Sequence, residues 1–209
     1  MKKNITTVVN FILDESGSMA SIKNDVIEGF NKYIAELKKQ KGNIVFTLTK
    51  FDTEGIRTPY ENKAIKKVEK LTDKSYQPNA GTPLYDACVT TIERAIETKG
   101  DKAFLVAIMT DGYENSSKEH NEECLADLIK KLQTKGNWTF VFLGANQDSW
   151  ATAQRLGISK GNVMDWQATP QGTNQVFSAM AMNTASFSDN VNTGESLGSS
   201  NFFNKGGNK

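Results

Sequence analysis

The sequence predicts an α/β fold, a three-layer sandwich with a mainly parallel central sheet and helices on both faces. Apolar runs without a consistently polar face, such as 5–13 and 103–109, are typical of strands that are covered on both sides. They alternate with segments in which apolar residues recur at helical spacing, as in 22–37 and 83–96. This alternation predicts a parallel sheet whose strands are joined by right-handed crossovers.

The first half of the chain contains the predicted edge of the sheet. The run 5–13 is the first strand, and the helix over 22–37 is predicted to end at a Gly42 cap. Residues 44–51 alternate apolar with mostly polar side chains, which favours a strand that is antiparallel or close to an edge. Short extended pieces in 56–68 predict a hairpin, so one strand of the sheet is expected to be antiparallel.

The second half of the chain continues the alternation. A proline suits the first turn of the helix over 83–96, and 103–109 is typical of a central strand. The further predicted elements are a helix over 124–132, a strand over 139–143, a helix over 147–156, a strand over 162–166 and a helix over 175–185. The remaining sequence is rich in Ser, Asn and Gly, so we expect one domain over residues 1–185 and a flexible polar tail over 186–209.

The composition argues against several classes of partner. With 25 Lys plus Arg against 24 Asp plus Glu, a net charge of +1 gives no field that attracts nucleic acid or an anionic membrane. No segment approaches the ~18 apolar residues of a membrane span, and the run after Lys2 and Lys3 lacks the cleavage site of a signal peptide. Two cysteines form no disulfide framework. We expect a cytoplasmic protein that binds neither nucleic acid nor membranes.

Three polar segments lie next to predicted strands or helices. Asp14-Glu15-Ser16-Gly17-Ser18 follows the first strand, Gly81-Thr82-Pro83 precedes a helix, and Thr110-Asp111-Gly112 follows the 103–109 strand. In open parallel sheets, ligands bind beyond the carboxyl ends of the strands, where these segments are expected to meet. The candidate ligands are Asp14, Ser16, Ser18, Thr82 and Asp111. Two carboxylates and three hydroxyls, without a converging His or Cys, suit Mg²⁺ or Mn²⁺ and not zinc.

These segments carry a resemblance to a known family. Its motifs are, in chain order, Asp14-x-Ser16-x-Ser18, Thr82 and Asp111-Gly112. They resemble the metal-ion-dependent adhesion site, or MIDAS, of the von Willebrand factor A domain family, and the resemblance extends over about residues 4–185. It implies that the three hydroxyls bind Mg²⁺, Mn²⁺ or Ca²⁺ directly and that the two carboxylates bind it directly or through water. It also implies an open position that a Glu or Asp of a protein partner completes.

Other functions stay open at this point. Each motif alone is also a common helix cap or turn. Asp14 is placed like the nucleophile of haloacid-dehalogenase phosphatases, but Ser16 stands where that family needs a second Asp. A Mg²⁺-dependent hydrolase is therefore the alternative to the non-enzymatic binding module that we expect. The resemblance also implies a third possibility, a bacterial or phage adaptor subunit of an ATPase or stress-resistance complex, and the oligomeric state is left open.

The sequence also predicts where residues around the motifs lie. Glu15 and Glu114 are expected at the exposed rim of the site, and Cys88 and Cys124 in the core. A helix N-terminus is expected at 18–20, where its partial positive charge would face the site.

Overall fold

The computed structural model describes residues 5–145 and 148–203. Residues 1–4, 146–147 and 204–209 lie outside this range, and with them the predictions that concern Lys2, Lys3 and residue 147. The described part contains a six-stranded sheet. Its strands are β1 (Thr6–Asp14), β2 (Ile44–Asp52), β3 (Gly55–Ala64), β4 (Lys102–Thr110), β5 (Trp138–Ala145) and β6 (Val163–Trp166). Their order across the sheet is β3-β2-β1-β4-β5-β6, and only β3 is antiparallel to its neighbour.

Helices cover both faces of the sheet, which confirms the predicted three-layer α/β sandwich. They are α1 (Lys23–Leu37), α2 (Leu84–Ile96), α3 (Glu122–Gln133), α4 (Ser149–Arg155) and α5 (Pro170–Thr193). Helices α1 and α5 share one apolar core with the sheet, and α2, α3 and α4 share the other. Within the described residues, no helix is both long enough and apolar enough to cross a membrane.

Strand β1 lies at the centre of the sheet, between β2 and β4. Asp14 at its carboxyl end pairs with Phe51, and Leu13 pairs with Met109, so all three strands end at the same edge. The predicted hairpin forms between β2 and β3 through the turn at 53–54, and β3 is the antiparallel edge strand. This register brings the loops after β1 and β4 together.

Aromatic side chains fix the position of β1 against the helices. The Phe11 ring lies 5.9 Å from Phe30 of α1 and 6.1 Å from Phe177 of α5. On the other face of the sheet, Val8 and Ile12 of β1 are fully buried in the second core. Both sides of β1 are thus buried, as its apolar run predicts, and burial of this kind contributes ~25 cal/mol for each Å² of apolar surface removed from water.

The predicted boundary between the domain and its tail at 185/186 is wrong, because helix α5 continues to Thr193. Phe187 and Val191 continue its buried face, and Phe202 beyond the helix is also buried and packs against Phe187. The chain is therefore helical over 186–193 and packed at Phe202, where a flexible polar tail is predicted. The composition of this segment, rich in Ser and Asn, is typical of a flexible tail. Here, however, a serine belongs to the buried face of the helix, since Ser188 is fully buried.

Three smaller expectations are also wrong. Helix α1 ends at Leu37, and Gly42 does not cap it but lies against α5, where an added Cβ would come 2.1 Å from the Asn192 side chain. The α-helix N-terminus expected at 18–20 is absent there. A 3-10 helix occupies 17–22 instead, and α1 begins at Lys23. Cys88 is buried as expected, but Cys124 is exposed because it lies in the first turn of α3, away from the stripe that faces the sheet.

Candidate metal centre

The Asp14 carboxylate joins the ends of the two central strands. Its Oδ2 atom accepts a hydrogen bond of 2.6 Å from the hydroxyl of Thr110, the last residue of β4. Its Oδ1 atom accepts one of 2.7 Å from the backbone N–H of Ser16. Asp14 is fully buried. One carboxylate therefore holds the turn after β1 and ties it to β4.

A line of hydroxyls continues from this turn to the second carboxylate. The Oγ atoms of Ser16 and Ser18 lie 3.2 Å apart, and the Ser18 hydroxyl donates a hydrogen bond of 2.5 Å to Asp111 Oδ1. Ser16 and Asp111 are buried, whereas Ser18 is exposed. The set is accordingly buried on the side of the strands and reaches solvent at Ser18.

Thr82 approaches the same place from the start of α2. It is buried, and a Cβ atom added to Gly112 would lie 3.8 Å from its Oγ1 and 3.7 Å from Ser18 Oγ. The hydroxyls of Thr82 and Ser18 thus both face the backbone that follows Asp111. The structure therefore brings together all five side chains that the motifs select, although whether they bind a metal stays a prediction.

The chemistry of these donors fits a hard divalent cation. Carboxylate and hydroxyl oxygens are the ligands that Mg²⁺, Mn²⁺ and Ca²⁺ accept. In the ranges 5–145 and 148–203, no group of three or more His, Cys, Asp or Glu side chains is placed to hold a metal. A cation bound at this edge would consequently need the hydroxyl oxygens as ligands. Such a site differs from the usual zinc site, whose ligands are His and Cys.

Burial changes the acidity of both carboxylates. It raises the pKa of Asp14 from its ordinary value of 3.8 to about 6, although the hydrogen bonds from Thr110 and Ser16 act in the opposite direction. Burial also raises the pKa of Asp111, against the hydrogen bond from Ser18. The cost of burying two carboxylates side by side would be relieved by a cation between them.

The loop before α2 also holds the turn after β1 in place. The Tyr76 hydroxyl donates a hydrogen bond of 2.7 Å to the Asp14 carbonyl oxygen, and Gly17 N–H donates one of 3.0 Å to the Ala80 carbonyl oxygen. Asn79 N–H donates to the Glu15 carbonyl oxygen at 2.8 Å. Nothing in the sequence pattern singled out Tyr76, Asn79 or Ala80, because irregular loops have no periodicity.

Glu15 lies in a buried ion network, so the expectation of an exposed rim residue is wrong. Its carboxylate binds Lys50 Nζ of β2 at 2.9 Å and Arg57 Nη2 of β3 at 2.9 Å. Arg57 also binds Asp52 at 2.6 Å and borders an open cleft of about 750 Å³ beside the turn. Glu15 faces away from solvent because cations on two neighbouring strands neutralise it.

Glu114 is half-buried and likewise does not stand free at the rim. Its carboxylate accepts hydrogen bonds from the backbone N–H groups of Tyr85 at 3.0 Å, Ser116 at 2.7 Å and Ser117 at 2.6 Å. It therefore ties the loop after Asp111 to the first turn of α2.

The sequence matches no protein-family model, and no curated protein sequence matches it significantly. Its structure is nevertheless similar to solved structures. Proximal thread matrix protein 1 from the mussel byssus has 14% identity and a TM-score of 0.60, over 85% of this chain and 47% of that one. Another structure of the same protein has a zinc-occupied MIDAS motif, with 15% identity and a TM-score of 0.55, over 85% and 48% of the two chains.

Two bacterial structures extend the comparison. A von Willebrand factor type A protein from Catenulispora acidiphila has 18% identity and a TM-score of 0.56, over 87% of this chain and 43% of that one. The vWF domain of the type V pili tip protein Mfa5 from Porphyromonas gingivalis has 10% identity and a TM-score of 0.59, over 86% and 95%. This chain spans about half the length of the mussel protein. Together these likenesses establish that it has the von Willebrand factor A fold.

Proposed function

We propose that this chain is a non-enzymatic protein-interaction module whose binding depends on a divalent cation. One observation carries the proposal: a line of hydrogen bonds runs from Thr110 through Asp14 and the two serines to Asp111, at the edge where ligands of parallel sheets bind. The mussel protein of the same fold, which has a zinc-occupied MIDAS motif, supports the presence of a metal.

Each donor has a separate task in this proposal. The hydroxyls of Ser16, Ser18 and Thr82 bind the cation directly, and Asp14 and Asp111 bind it directly or through ordered water. Mg²⁺, Mn²⁺ or Ca²⁺ suits this set better than zinc, because every donor is an oxygen. The bound cation supplies a focused positive charge that the near-neutral chain otherwise lacks.

The partner is proposed to be a protein that presents a Glu or Asp carboxylate. Ser18 is exposed while the other proposed ligands are buried, so the approach to the site is from the Ser18 side. Tyr113, with an exposed fraction of 57%, stands two residues after Asp111 and offers an aromatic contact beside that approach. Neither nucleic acid nor a membrane is part of the proposal.

The proposed location is the cytoplasm. Cys88 and Cys124 are both free thiols, one buried and one exposed, which suits the reducing cytoplasm. We keep this location in the proposal although the Mfa5 relative is a pilus tip protein.

Affinity capture from a lysate of the source organism tests the proposal. The wild-type chain is used as bait with Mg²⁺ or with EDTA, next to Asp111→Ala and to Ser21→Ala, an exposed serine in the same 3-10 turn as Ser18. We expect a protein retained in Mg²⁺ by the wild type and Ser21→Ala, and lost with EDTA or Asp111→Ala. Retention that EDTA leaves unchanged would contradict the mechanism. Hydrolysis of a phosphate ester by the purified chain, abolished in Asp14→Asn, would support the hydrolase alternative instead.

A further inference from the structure

The loops that carry Thr82 and Asp111 are tied together outside the proposed metal ligands. Residues 82–86 lead into the first turn of α2, which begins at Leu84, and residues 114–120 lie between Asp111 and α3. Hydrogen bonds connect these two segments at successive positions along their length. The two loops therefore form one structural unit, and contacts within it determine the position of the proposed ligand Thr82.

Asn115 pairs with Thr82 in both directions. The Thr82 N–H donates a hydrogen bond of 2.9 Å to Asn115 Oδ1, and the Asn115 N–H donates one of 3.2 Å to the Thr82 carbonyl oxygen. Thr82 is thus held through both of its backbone polar groups by a single residue of the other loop. This pair fixes the backbone of Thr82, and with it the Cβ atom that carries the hydroxyl, relative to the loop that follows Asp111.

The neighbouring contacts hold Asn115 itself. The Ser116 hydroxyl donates a hydrogen bond to the same Oδ1 atom of Asn115. A Cβ added to Gly81 would lie 3.0 Å from this oxygen, so a glycine lets the amide approach the backbone closely. Glu114, one residue earlier, is bonded to the first turn of α2 through the Tyr85 N–H.

Asp86 in the first turn of α2 binds the part of the loop that follows Asn115. Its carboxylate accepts hydrogen bonds from the backbone N–H groups of Lys118 at 2.7 Å, Glu119 at 3.1 Å and His120 at 2.7 Å. The Asp86 N–H in turn donates to Ser117 Oγ at 3.1 Å. The loop is consequently anchored on both sides of Asn115, and loss of the Asn115 side chain should affect Thr82 more than the loop as a whole.

We infer that Asn115 is a positioning residue that holds the Thr82 hydroxyl toward the cation through its side-chain oxygen. The inference rests on the proposed function, because it assigns a supporting role at the same site. Groups of this kind, which orient a ligand without touching the metal, typically alter metal affinity by 10–100-fold when removed.

The chain offers a matched control for this test. Asn121 is also an exposed asparagine, and its Oδ1 accepts a hydrogen bond of 2.9 Å from the Cys124 N–H at the start of α3. Asn121→Ala removes the same type of hydrogen bond from a helix cap that contacts none of the proposed ligands. Asn115→Asp keeps the acceptor oxygen, whereas Asn115→Ala removes it.

The experiment is titration calorimetry of the purified full chain with Mg²⁺, together with hydrogen exchange of the Thr82 amide in EDTA. We expect Asn115→Ala to bind Mg²⁺ about tenfold more weakly and to exchange the Thr82 amide faster. Asn115→Asp should restore both the affinity and the protection, and Asn121→Ala should change neither. If Asn115→Ala does not fold, Asn115→Gln replaces it, because the longer side chain displaces the same oxygen.

Each outcome supports or overturns the inference. Equal Mg²⁺ affinity of wild type and Asn115→Ala would overturn it while leaving the proposed function intact. Equal losses in Asn115→Ala and Asn121→Ala would also overturn it, because they would indicate general destabilisation. A wild-type chain that binds none of Mg²⁺, Mn²⁺ and Ca²⁺ would refute the proposed function and this inference together, even where Thr82 amide exchange still depends on Asn115.

Discussion

The hydroxyl of Thr110 donates a hydrogen bond of 2.6 Å to Asp14 Oδ2, and both residues are fully buried. Parallel pairing of β1 with β4 makes this contact possible, since it brings the last residues of the two strands to one edge. The bond links the first and third of the sequence motifs directly. Any cation at this edge would consequently be held by a site whose two halves are already joined.

Replacing Thr110 tests how far this contact prepares the site. Thr110→Val keeps the shape of the side chain but removes the donor, and we expect the metal-free protein to lose about 1–3 kcal/mol of stability because a bond to a buried carboxylate is lost. Mg²⁺ affinity should fall as well, since Asp14 is no longer oriented. Urea unfolding in EDTA and calorimetric titration with Mg²⁺ measure the two effects. The control is Thr98→Val, which removes a partly buried hydroxyl that donates a hydrogen bond to the Ala95 carbonyl oxygen in the preceding turn. Equal effects of the two substitutions would contradict the prediction.

The pKa of Asp14 predicts a pH dependence with a defined sign. Burial raises this pKa from 3.8 to about 6, so the folded metal-free protein binds the proton more tightly than the unfolded chain does. Protonation of Asp14 therefore adds nothing to the free energy of unfolding at pH 7.5, and it increases that free energy as the pH falls through 6. Between pH 7.5 and 5.0 the wild type should gain about 1 kcal/mol relative to Asp14→Asn.

Unfolding curves of wild type and Asp14→Asn in EDTA at the two pH values give this difference, because other titrating groups cancel. Mg²⁺ affinity should follow the opposite trend and weaken below pH 6, since protons compete for Asp14. An identical pH dependence of the two proteins would show that Asp14 has an ordinary pKa.

The buried ion network predicts a large stability effect away from the proposed ligands. Lys50→Met leaves the buried Glu15 carboxylate without its nearest ammonium, and breaking a buried pair in this way costs about 3–5 kcal/mol. Lys39→Met removes an exposed ion pair with Glu36 and should cost less than about 1 kcal/mol. Urea denaturation of both variants measures the contrast. Similar small losses would mean that Glu15 is hydrated and not buried among its partners.

The end of the described chain predicts a further difference. Phe202 is buried with an exposed fraction of 3% and lies against Phe187 of α5, so Phe202→Ala should destabilise the protein by about 3 kcal/mol. The neighbouring Phe203 is only partly buried, and its replacement by Ala should cost less. Thermal unfolding distinguishes this packing from a flexible tail, for which both substitutions would leave the melting temperature unchanged.

Periodicity in the sequence predicted most of the fold, because the buried strands and amphipathic helices have strong patterns. Periodicity did not locate the start of α5. It predicts a start at 175, whereas Thr169 caps the helix and Pro170 occupies its first turn. This pair is a recognised start signal and could have located the helix. Its end was missed because buried hydroxyls such as Thr184 interrupt the apolar stripe.

The candidate site was predicted through the spacing of its motifs, but its surroundings were not. Burial of Glu15 depends on Lys50 and Arg57, which lie on other strands and become neighbours only through the β1–β2–β3 pairing. Asn115 lies in a polar loop without any pattern, and its pairing with Thr82 spans 33 positions in the sequence. Supporting contacts of this type follow from tertiary structure and not from local spacing.

Direct titration with Mg²⁺ tests the central claim, that the five oxygen-bearing side chains form a divalent-cation site. The wild type, Ser18→Ala, Asp111→Ala and the control Ser21→Ala are compared by calorimetry at pH 7.5. We expect one bound Mg²⁺ in the wild type and in Ser21→Ala, and binding at least about tenfold weaker in the other two variants. A wild-type chain that binds none of Mg²⁺, Mn²⁺ and Ca²⁺, or one whose affinity survives both Ser18→Ala and Asp111→Ala, would contradict this claim.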